Sequence, residues 1–452
     1  MRPASVTTRP AAGPTVLQEA IAWRGREDGL LGRHPFTPQT LDDYVAEGGY
    51  TTPRAADTLA SAAGIDQLLG RGGAAFPTSV KIDAVRRAAA STALAPAVVA
   101  NGAEGEPLSI KDRYLLRFRP HLVLEGVVAV ADALGAPEAH VYVADPIARA
   151  AVDTAVAELA VARPAVRVHV FQAQETYVAG EETAVVRALT KGIARPTDKP
   201  PRPYQVGVGG APTLVLNVET LACIARSLQS PSAEAGGTFL TTVSGGGRPP
   251  VLYEVPVDAP LHEVTRAHFG DDDTGRDLLI GGFFGGLLPA WSDLRLSHAG
   301  VRLRRGSLGC GSLHFLERGA CPIRIAADVA GYYAEHNARQ CGTCISSTSS
   351  VAATLAQLGN PTPGVNYASM LPRWATQLIG RGACAVPDAV ATMIRSLLHF
   401  YPQSLERHLA QGCEACAEAA ADPTPRWEHL TVSLPGCAAK QESPSDPLAV
   451  SA

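Results

Sequence analysis

Between residues 97 and 222 short apolar runs alternate with longer helical patterns, and this alternation restricts the possible fold more than any other feature. Residues 97–100, 139–145 and 165–173 have the apolar, β-branched character of strands, while 120–135 and 146–162 carry helical apolar spacing. Strands that alternate with helices form a parallel sheet, and its ligands bind at the carboxyl ends of the strands. The sequence therefore predicts an α/β domain with a functional edge.

The regions around this domain differ in composition and in predicted secondary structure. We expect an N-terminal extension over 1–57, the α/β domain over 58–235 and a small α+β module with many turn signals over 236–300. Helical patterns then predict a helical domain over 301–412, and the tail over 413–452 is rich in Pro, Ser and charge, which predicts mobility.

Overall charge and cysteine content restrict partners and location. The 452-residue chain has a net charge of −4, which gives no electrostatic case for binding nucleic acid or an anionic membrane. Nine cysteines, an odd number, and no recognisable secretory signal fit a reducing cytoplasm rather than a disulfide framework. No apolar run reaches the ~18 residues of a membrane span. We therefore expect a cytoplasmic protein that reaches a membrane only through a partner.

The stretch "GRGGAAFPTSVK", Gly70–Lys81, has the composition of an anion-binding loop. Three glycines in four residues let backbone N–H groups approach a phosphate, and the helix that follows adds a favourable dipole. Arg71 and Lys81 add positive charge, and Phe76 offers a flat face for stacking. A plain flexible turn is the alternative interpretation of this stretch.

Polar residues follow the predicted strands in three more loops. Each combines an amide or carboxylate with a strand end or helix start, where a nucleotide or flavin would bind. The alternatives are a solvated polar loop and ordinary helix capping. The side chains concerned are Asn101, Glu104 and Glu106 in the first loop, Tyr177, Gly180, Glu181 and Glu182 in the second, and Asn217 and Glu219 in the third.

The run "QCGTCISSTSS", Gln340–Ser350, begins as an iron–sulfur ligand motif would. Cys341 and Cys344 have the Cys-x-x-Cys spacing, but Ser347 stands where a third cysteine would follow. A zinc site with Cys413 and Cys416, or a redox dithiol, are alternatives for the pair. For Ser347 the alternative is that the serine run caps a helix that starts near Val351.

Taken together, these motifs resemble those of the flavin-bearing, NADH-oxidising (51 kDa or F-type) subunits of respiratory complex I and the related NAD-linked diaphorases. That family has G-R-G-G-A-G-F-P-T-G-L-K-W, N-A-D-E-S-E-P-G-T-F-K-D-R, Y-I-C-G-E-E-T-A-L, K-P-P-x-P and N-N-V-E-T. The counterparts here are Gly70–Ile82, Asn101–Arg113, Tyr177–Val185, Lys199–Pro203 and Leu216–Thr220. The likeness extends over roughly residues 60–405.

The resemblance implies a Rossmann-like FMN domain, then a small β-grasp-like domain and a helical iron–sulfur bundle. It assigns the flavin to the loop from Gly70 to Gly73 (Gly70, Arg71, Gly72, Gly73) and to Asn101, Gly180, Glu181, Glu182 and Asn217, with Glu104 as a further cofactor-binding residue. It assigns the NADH site to Phe76, Lys81, Glu106, Tyr177 and Glu181. Ala103, Gly105 and Leu216 depart from the family pattern, which has Asp, Ser and Asn at these positions. The loss of the Asp and the Asn, at Ala103 and Leu216, implies weaker flavin binding.

For the cluster, the resemblance implies that Cys341, Cys344 and Cys384 are three of the four ligands. Ser347 occupies the place of the third thiolate. It therefore ligates through oxygen, or the fourth iron takes water or an external ligand, or the site holds a 3Fe-4S rather than a 4Fe-4S cluster. Another cysteine that replaces the missing ligand is the alternative, with Cys413, Cys416 and Cys437 as candidates. Cys223, Cys310 and Cys321 lie in apolar sequence and are predicted to be core residues.

The function that follows is an NADH dehydrogenase that uses FMN and an iron–sulfur cluster to pass electrons to a ferredoxin-like or other iron–sulfur subunit, or to a quinone-reductase partner. One alternative is the NAD-reducing diaphorase subunit of a hydrogenase or formate dehydrogenase. A second is a catalytically eroded scaffold or assembly subunit. Cofactor content separates the scaffold from both enzymes.

Overall fold

The computed structural model describes residues 14–22, 29–51, 59, 64–162, 166–230, 236–270, 275–291, 293–421 and 427–436. Its strands are β1 Thr15–Val16, β2 Glu19–Ala22, β3 Ala97–Gly102, β4 Glu138–Val143, β5 Arg167–Gln172, β6 Thr213–Asn217, β7 Thr238–Gly245, β8 Arg248–Pro256, β9 Ala259–Pro260, β10 Leu278–Ile280, β11 Leu287–Leu288, β12 Arg295–Leu296, β13 Leu313–Phe315 and β14 Val432–Ser433. Its helices are α1 Leu41–Ala46, α2 Thr78–Ala90, α3 Lys111–Phe118, α4 Pro120–Leu134, α5 Pro146–Ala162, α6 Glu182–Lys191, α7 Val218–Gln229, α8 Leu261–Phe269, α9 His298–Leu303, α10 Pro322–His336, α11 Gly342–Gln357, α12 Tyr367–Gln377, α13 Val386–Phe400, α14 Pro402–Gln411 and α15 Glu414–Ala421.

The alternating region forms a parallel sheet of four strands in the order β5-β4-β3-β6. From β3 the chain moves outward through β4 and β5, and then it crosses back to place β6 on the other side of β3. The strand order therefore reverses between β3 and β6, and the crevice at such a switch point is where open α/β sheets bind ligands.

Both faces of this sheet are largely buried along β3, β4 and β6, which explains the continuous apolar runs in the sequence, whereas the edge strand β5 is partly exposed. Val98 and Ala100 belong to the main core, which also contains buried residues of α4, α5 and α7. Val99 points to the opposite face, where it joins Tyr142 and residues of α6 in a smaller cluster. Alternation along β3 thus supplies one side chain to each face in turn.

A second, mixed sheet of six strands has the order β11-β10-β13-β7-β8-β2. Its outer strand β2 comes from the predicted N-terminal extension and runs parallel to β8. Its inner strand β13 pairs with β7 and lies beyond residue 300, the predicted end of the small module. The sheet therefore recruits chain from both sides of the predicted range, and a β-grasp-like topology for it stays a prediction.

The predicted helical region is a group of helices from α10 onward, in which α10 and α11 pack closely and α13 contacts both. The part of the predicted tail that the structure describes is folded, since α15 packs on α11 and β14 pairs in parallel with β1. The prediction of a mobile tail is therefore wrong for 413–421 and 427–436, and residues 437–452 lie outside the described part. Among the described helices, none is long and apolar enough to cross a membrane.

Candidate functional site

Two asparagines lie side by side at the switch point of the parallel sheet. Asn101 is the penultimate residue of β3, Asn217 ends β6, and the two residues are partners in the strand register. The Asn101 amide donates to the carbonyl of Gly180 at 2.8 Å, which ties the strand end to the loop before α6. The Asn217 side chain caps α7 by accepting from the N–H of Glu219 at 3.0 Å. The sheet therefore brings together two predicted site residues that are 116 positions apart.

A buried ion network supports this edge from behind. The Lys111 ammonium lies 2.6 Å from Asp112 Oδ1, 3.0 Å from Glu219 Oε2 and 3.3 Å from Asn217 Oδ1. Burial by itself lowers the pKa of Lys111, but attraction to Asp112, Glu219 and Glu104 outweighs it and raises the pKa. The lysine therefore stays charged and fixes the Asn217 side chain from the core side.

The glycine loop lies over Asn217. Gly72 approaches so closely that a Cβ atom there would lie 3.4 Å from the Cβ of Asn217, and Gly73 adopts a positive φ of 103°. Phe76, at the end of the loop, is half exposed (51%), as a stacking face would require. Its carbonyl accepts the N–H of Gly70 at 2.9 Å and closes the loop.

The two cationic side chains of the glycine loop and the helix after it, Arg71 and Lys81, bind backbone carbonyls and so stabilise the fold. The guanidinium of Arg71 donates to the carbonyls of Gly236 and Thr238, each at 2.9 Å, and so links the loop to the second sheet. The ammonium of Lys81 donates to the carbonyl of Val215 at 2.9 Å and pairs with Glu182 at 3.3 Å. Both side chains therefore hold the walls of the crevice, and their predicted contacts with cofactor or NADH stay predictions.

The loop that precedes α6 fits tightly against the end of β3. A Cβ atom on Gly180 would lie 2.4 Å from the carbonyl oxygen of Ala103, and one on Gly105 would lie 2.4 Å from that of Tyr177. Only glycine allows these two backbones to approach so closely. Glu181 caps α6 by accepting from the N–H of Thr183 and pairs with Lys199 at 2.6 Å, as the capping interpretation expected.

The two glutamates of the first loop have different surroundings. Glu104 is bound internally, because its carboxylate accepts from the backbone of α3 and pairs with Arg113 at 3.2 Å. Glu106 accepts from the N–H of Phe283 at 3.0 Å, and no cation pairs with it among the described residues. Desolvation raises the pKa of Glu106 to about 8, with a smaller contribution from the charge of Glu104, so this carboxyl is largely protonated at neutral pH.

An aromatic cluster connects this edge to the helical region, and sequence reasoning missed most of it. The Tyr177 hydroxyl lies 3.0 Å from that of Tyr333, and its ring packs edge-on against Tyr332 and Tyr333 of α10. Phe283 packs edge-on against Tyr332 in turn. The "GYY" of α10 was visible in the sequence, but only the folded chain shows that it faces Tyr177.

The predicted cluster cysteines lie at the starts of two helices. Cys341 is the N-cap residue of α11 and Cys344 lies in its first turn, where the thiol donates to the carbonyl of Cys341 at 3.2 Å. Burial by itself would raise the pKa of Cys341, but N–H groups of Ala383 and Cys344, among others, outweigh it and lower the pKa. The start of a helix stabilises a thiolate in this way.

Cys384 precedes α13 and approaches the same place. Burial, together with the nearby charges of Glu181, Cys344 and Cys341, outweighs a hydrogen bond from the N–H of Val386 and raises the pKa of Cys384 to about 11. A hydrogen bond of 3.1 Å from the Thr343 hydroxyl to the carbonyl of Arg381 holds the two helix starts together. The structure thus brings the three predicted cysteines together and places them near Glu181, at the carboxyl edge of the parallel sheet.

Ser347 lies inside α11, one turn beyond Cys344 and on the same face of the helix. The residue is buried (9% exposed), and its hydroxyl donates to the carbonyl of Thr343. The alternative in which the serine run caps a helix that starts near Val351 is wrong, because the helix already starts at Gly342. The serines tolerate the helix interior because their hydroxyls bond the carbonyls four residues back.

Two of the three departures from the family pattern, Ala103 and Leu216, differ in what they touch. Leu216 lies in β6 with its side chain in the main core, 4% exposed, and so faces away from the crevice. Burial of its apolar side chain in the core accounts for leucine at this position without any contact with a ligand. Ala103 lies at the crevice beside Gly180, so this edge lacks the carboxylate that the resemblance led us to expect there.

The residues present fit the two cofactors that the motifs imply. For a flavin, the crevice offers paired amides, a glycine loop that leaves room over Asn217, and the exposed ring of Phe76. For an iron–sulfur cluster, three thiols from two helix starts converge, and the Ser347 oxygen lies one helical turn from Cys344. Soft thiolates are the donors that such clusters require.

Comparison with known proteins agrees with this geometry. Residues 65–226 match the family model described as the Nuo51 FMN-binding domain. Residues 324–408 match the model described as the NADH-ubiquinone oxidoreductase-F iron–sulfur binding region. The two matches together span just over half of the chain and include every predicted cofactor residue.

Similar whole proteins fall in the same group. The second F-type subunit of NADH-quinone oxidoreductase from Rhizobium meliloti (strain 1021) is 27% identical over 401 residues, covering 82% of this chain and 94% of that protein. The F-type subunit of the same enzyme from Aquifex aeolicus (strain VF5) is 29% identical over 331 residues, covering 68% and 76%. Among solved structures, an NAD⁺-reducing [NiFe]-hydrogenase in the H₂-reduced state has a TM-score of 0.70 and 26% identity, covering 82% of this chain and 67% of that one.

Proposed function

The chain belongs to the family of the FMN-binding, NADH-oxidising F-type subunits of NADH-quinone oxidoreductases and related diaphorases, and from this premise we propose that it oxidises NADH itself. FMN and an iron–sulfur cluster are its cofactors, and NADH is its substrate. When bound, FMN accepts a hydride and releases electrons singly, and the cluster takes them up one at a time. Ferredoxin-like or other iron–sulfur subunits, or a quinone-reductase partner, are the proposed acceptors.

One observation carries this proposal. The carboxyl edge of the parallel sheet, where the flavin would bind, is adjacent to the three cysteines Cys341, Cys344 and Cys384, since Glu181 of that edge interacts electrostatically with Cys384. The aromatic contact of Tyr177 with Tyr333 joins the same two regions by a second route. Electrons that enter at the edge would therefore have a short path to the cysteines.

The chain's own residues have clear tasks in this scheme. Asn101 and Asn217 would orient the flavin ring at the strand ends, and the glycine loop would hold its phosphate. Phe76 would stack against the nicotinamide nucleotide and exclude water from the reacting face. Cys341, Cys344 and Cys384 would hold the cluster, with Ser347 as the fourth protein group in reach.

The finer features of fold and location belong to the same proposal. We expect the second sheet and its helices to be a β-grasp-like domain that positions the crevice, as in the family the chain belongs to. Arg71 supports this placement because it ties the glycine loop to Gly236 and Thr238. We also expect a cytoplasmic protein that contacts a membrane only through partner subunits.

An anaerobic NADH titration of the full chain, produced with an intact iron–sulfur supply, tests the proposal. We expect the flavin absorbance to bleach and a reduced-cluster signal to appear in low-temperature EPR. A variant with Cys341→Ala should keep the bleaching and lose the EPR signal, because it removes one cluster ligand but no part of the crevice. A colourless chain that does not respond to NADH would leave the scaffold alternative.

A second function is favoured by the likeness to an NAD⁺-reducing hydrogenase. In that case the same residues would run the reaction toward NADH, with electrons supplied by a hydrogenase or formate dehydrogenase partner. Reduction of NAD⁺ by the chain with reduced methyl viologen as donor, compared with NADH oxidation by ferricyanide, measures the preferred direction. A strong bias toward NAD⁺ reduction would favour the diaphorase.

A further inference from the structure

Four metal-binding side chains meet at a place that the electron-transfer scheme does not use. They are Cys321, His408, Cys413 and Cys416, and their ligand atoms all lie within 4.8 Å of one another. The four residues come from three elements: Cys321 caps the start of α10, His408 lies in the last turn of α14, and Cys413 and Cys416 flank the start of α15. Among the described His, Cys, Asp and Glu residues, this is the one such group.

The distances within the group fit one tetrahedral ion. The Cys321 thiol lies 3.3 Å from His408 Nε2 and 3.5 Å from the Cys416 thiol, and His408 Nε2 lies 3.4 Å from Cys416. Zinc–sulfur and zinc–nitrogen bonds of about 2.3 and 2.0 Å in a tetrahedron place two thiolates about 3.8 Å apart, and a thiolate and an imidazole nitrogen about 3.5 Å apart. The observed separations need only small shifts.

The surrounding backbone already orients the ligands. His408 Nδ1 lies 2.7 Å from the carbonyl of Ser404, which only accepts, so Nδ1 carries the proton. Nε2 of the neutral ring is then left with a free lone pair, which is the arrangement that ligating histidines have. The N–H of Cys413 donates to the carbonyl of Gly359 at 2.8 Å and fixes the Cys-x-x-Cys turn against the end of α11.

Sequence reasoning reached only part of this group. It paired Cys413 and Cys416 with Cys341 and Cys344 as a possible zinc site, and it placed Cys321 in the core. In the structure, Cys413 and Cys416 instead lie beside Cys321 and His408. Cys321 and His408 are 87 residues apart in the sequence. Because Cys413 and Cys416 have these partners, they are also not the replacement for the ligand missing at Ser347. Cys437, the remaining candidate, lies outside the described residues.

We propose that Cys321, His408, Cys413 and Cys416 form a closed, structural Zn²⁺ site, separate from the iron–sulfur cluster. Three cysteines and one histidine are a standard ligand set for structural zinc. The ion binds to three thiolates and one neutral imidazole, and each thiol releases its proton to solvent on binding. All four positions are filled by protein, so the site has no open position for a substrate and serves to hold α10, α14 and α15 together.

Metal analysis of the full chain tests the site directly. In protein purified without added zinc and analysed by inductively coupled plasma mass spectrometry, we expect about one zinc per chain. A Cys413→Ser variant and a His408→Ala variant should each lose most of this zinc and keep their iron. His399→Ala is the matched control, because His399 lies exposed on the neighbouring helix α13, and it should keep both metals.

A Cys384→Ser variant completes the comparison, since it should lose iron and keep zinc. This opposite pattern separates failure of the zinc proposal from failure of the electron-transfer proposal. Replacement of zinc by Co²⁺ in the unmutated protein provides a second readout that needs no variant to fold. The strong visible bands of tetrahedral, thiolate-bound cobalt should appear and should vanish on addition of one equivalent of zinc.

Three results would overturn the proposal. The first is iron-loaded protein with no zinc and no cobalt spectrum. The second is a disulfide between Cys321 and Cys416, found by mass spectrometry of alkylated peptides from protein kept anaerobic. The third is zinc that persists in the Cys413→Ser and His408→Ala variants, because the ion would then have other ligands.

Discussion

Most of the polar side chains at the crevice are already bonded to protein, and this determines what each one is able to do. Asn217 caps a helix and contacts Lys111, and Glu181 caps α6. The carboxylate of Glu104 accepts hydrogen bonds from the backbone of α3. Such residues shape and stiffen a site more than they titrate in it. Phe76 and Glu106 are different, since one is exposed and the other lacks a cationic partner among the described residues.

Glu106 leads to a prediction about pH and stability. The pKa of this carboxyl is raised from 4.5 to about 8 in the fold, so its contribution to stability is complete below pH 4.5 and is lost as pH rises toward 8. The loss is at most about 1.4 kcal/mol per pH unit. Glu106→Gln keeps an acceptor for the N–H of Phe283 and does not ionise. In thermal melts from pH 5 to 8.5, the melting temperature of the variant should therefore rise relative to that of the unmutated protein as pH rises.

Glu406→Gln is the control for this experiment, because Glu406 lies exposed on α14. Its melting temperature should follow that of the unmutated protein at every pH. A constant difference between Glu106→Gln and the unmutated protein across the range would show that Glu106 ionises normally.

Ser347 leads to a prediction about iron content. A thiolate is the ligand that cubane clusters use at this position, and Ser347 faces the same way as Cys344. Ser347→Cys should raise the iron per chain by about one and move the EPR signal to that of a four-iron cluster. Iron assays with EPR of the NADH-reduced protein measure both quantities.

Ser346→Cys is the matched control, since Ser346 has the same bond to a carbonyl four residues back but is exposed on another face of α11. It should leave iron content and EPR signal unchanged. Equal spectra for Ser347→Cys and the unmutated protein would mean that a fourth ligand is already supplied from elsewhere.

At the level of elements, the site depends on how closely the loop before α6 approaches the end of β3. In Gly180→Ala the new Cβ atom would overlap the carbonyl oxygen of Ala103, which is backbone and cannot turn away. We expect a loss of roughly 1–3 kcal/mol in the free energy of unfolding, together with lower flavin occupancy. Urea unfolding and the flavin-to-protein absorbance ratio measure the two effects.

Gly331→Ala makes the same chemical change in α10, where a Cβ atom would meet nothing within 4 Å. It should be neutral or should stabilise the protein by up to about 1 kcal/mol. If both variants unfold alike and keep their flavin, the tight approach at Gly180 is not needed.

The sequence predicted the parallel strands within two residues or so because each carries a buried run of apolar residues between turn signals. It placed Asn101 and Asn217 at strand ends for the same reason. The start of α11 was missed because serine and threonine usually favour caps, whereas here their hydroxyls bond back within the helix. The grouping of Cys321 with Cys416 depends on tertiary packing, which no local pattern encodes.

At the level of the whole molecule, the N-terminal segment completes the second sheet. Strand β2 pairs with β8 through Glu19–Ala22, and Leu17 beside it is buried. Deletion of residues 1–22 would expose the edge of β8, so we expect a lower melting temperature and concentration-dependent aggregation. Differential scanning calorimetry and light scattering measure these effects.

Deletion of residues 1–13 is the control, because it leaves β1 and β2 in place. It should leave both measurements unchanged. A 1–22 deletion that stays monomeric with an unaltered melting temperature would mean that β2 contributes nothing to the sheet.

The pairing of β1 with β14 has a consequence for synthesis. The Thr15 hydroxyl donates to the carbonyl of Thr431, a partner 416 residues later in the chain. During translation the first strand emerges from the ribosome long before its partner exists. Val16, which is exposed, and Leu17, which is buried, therefore reach their final positions only after the residues up to β14 have been made. Closure of this two-stranded sheet therefore comes only after the flavin domain and the helical region between its two strands have been synthesised.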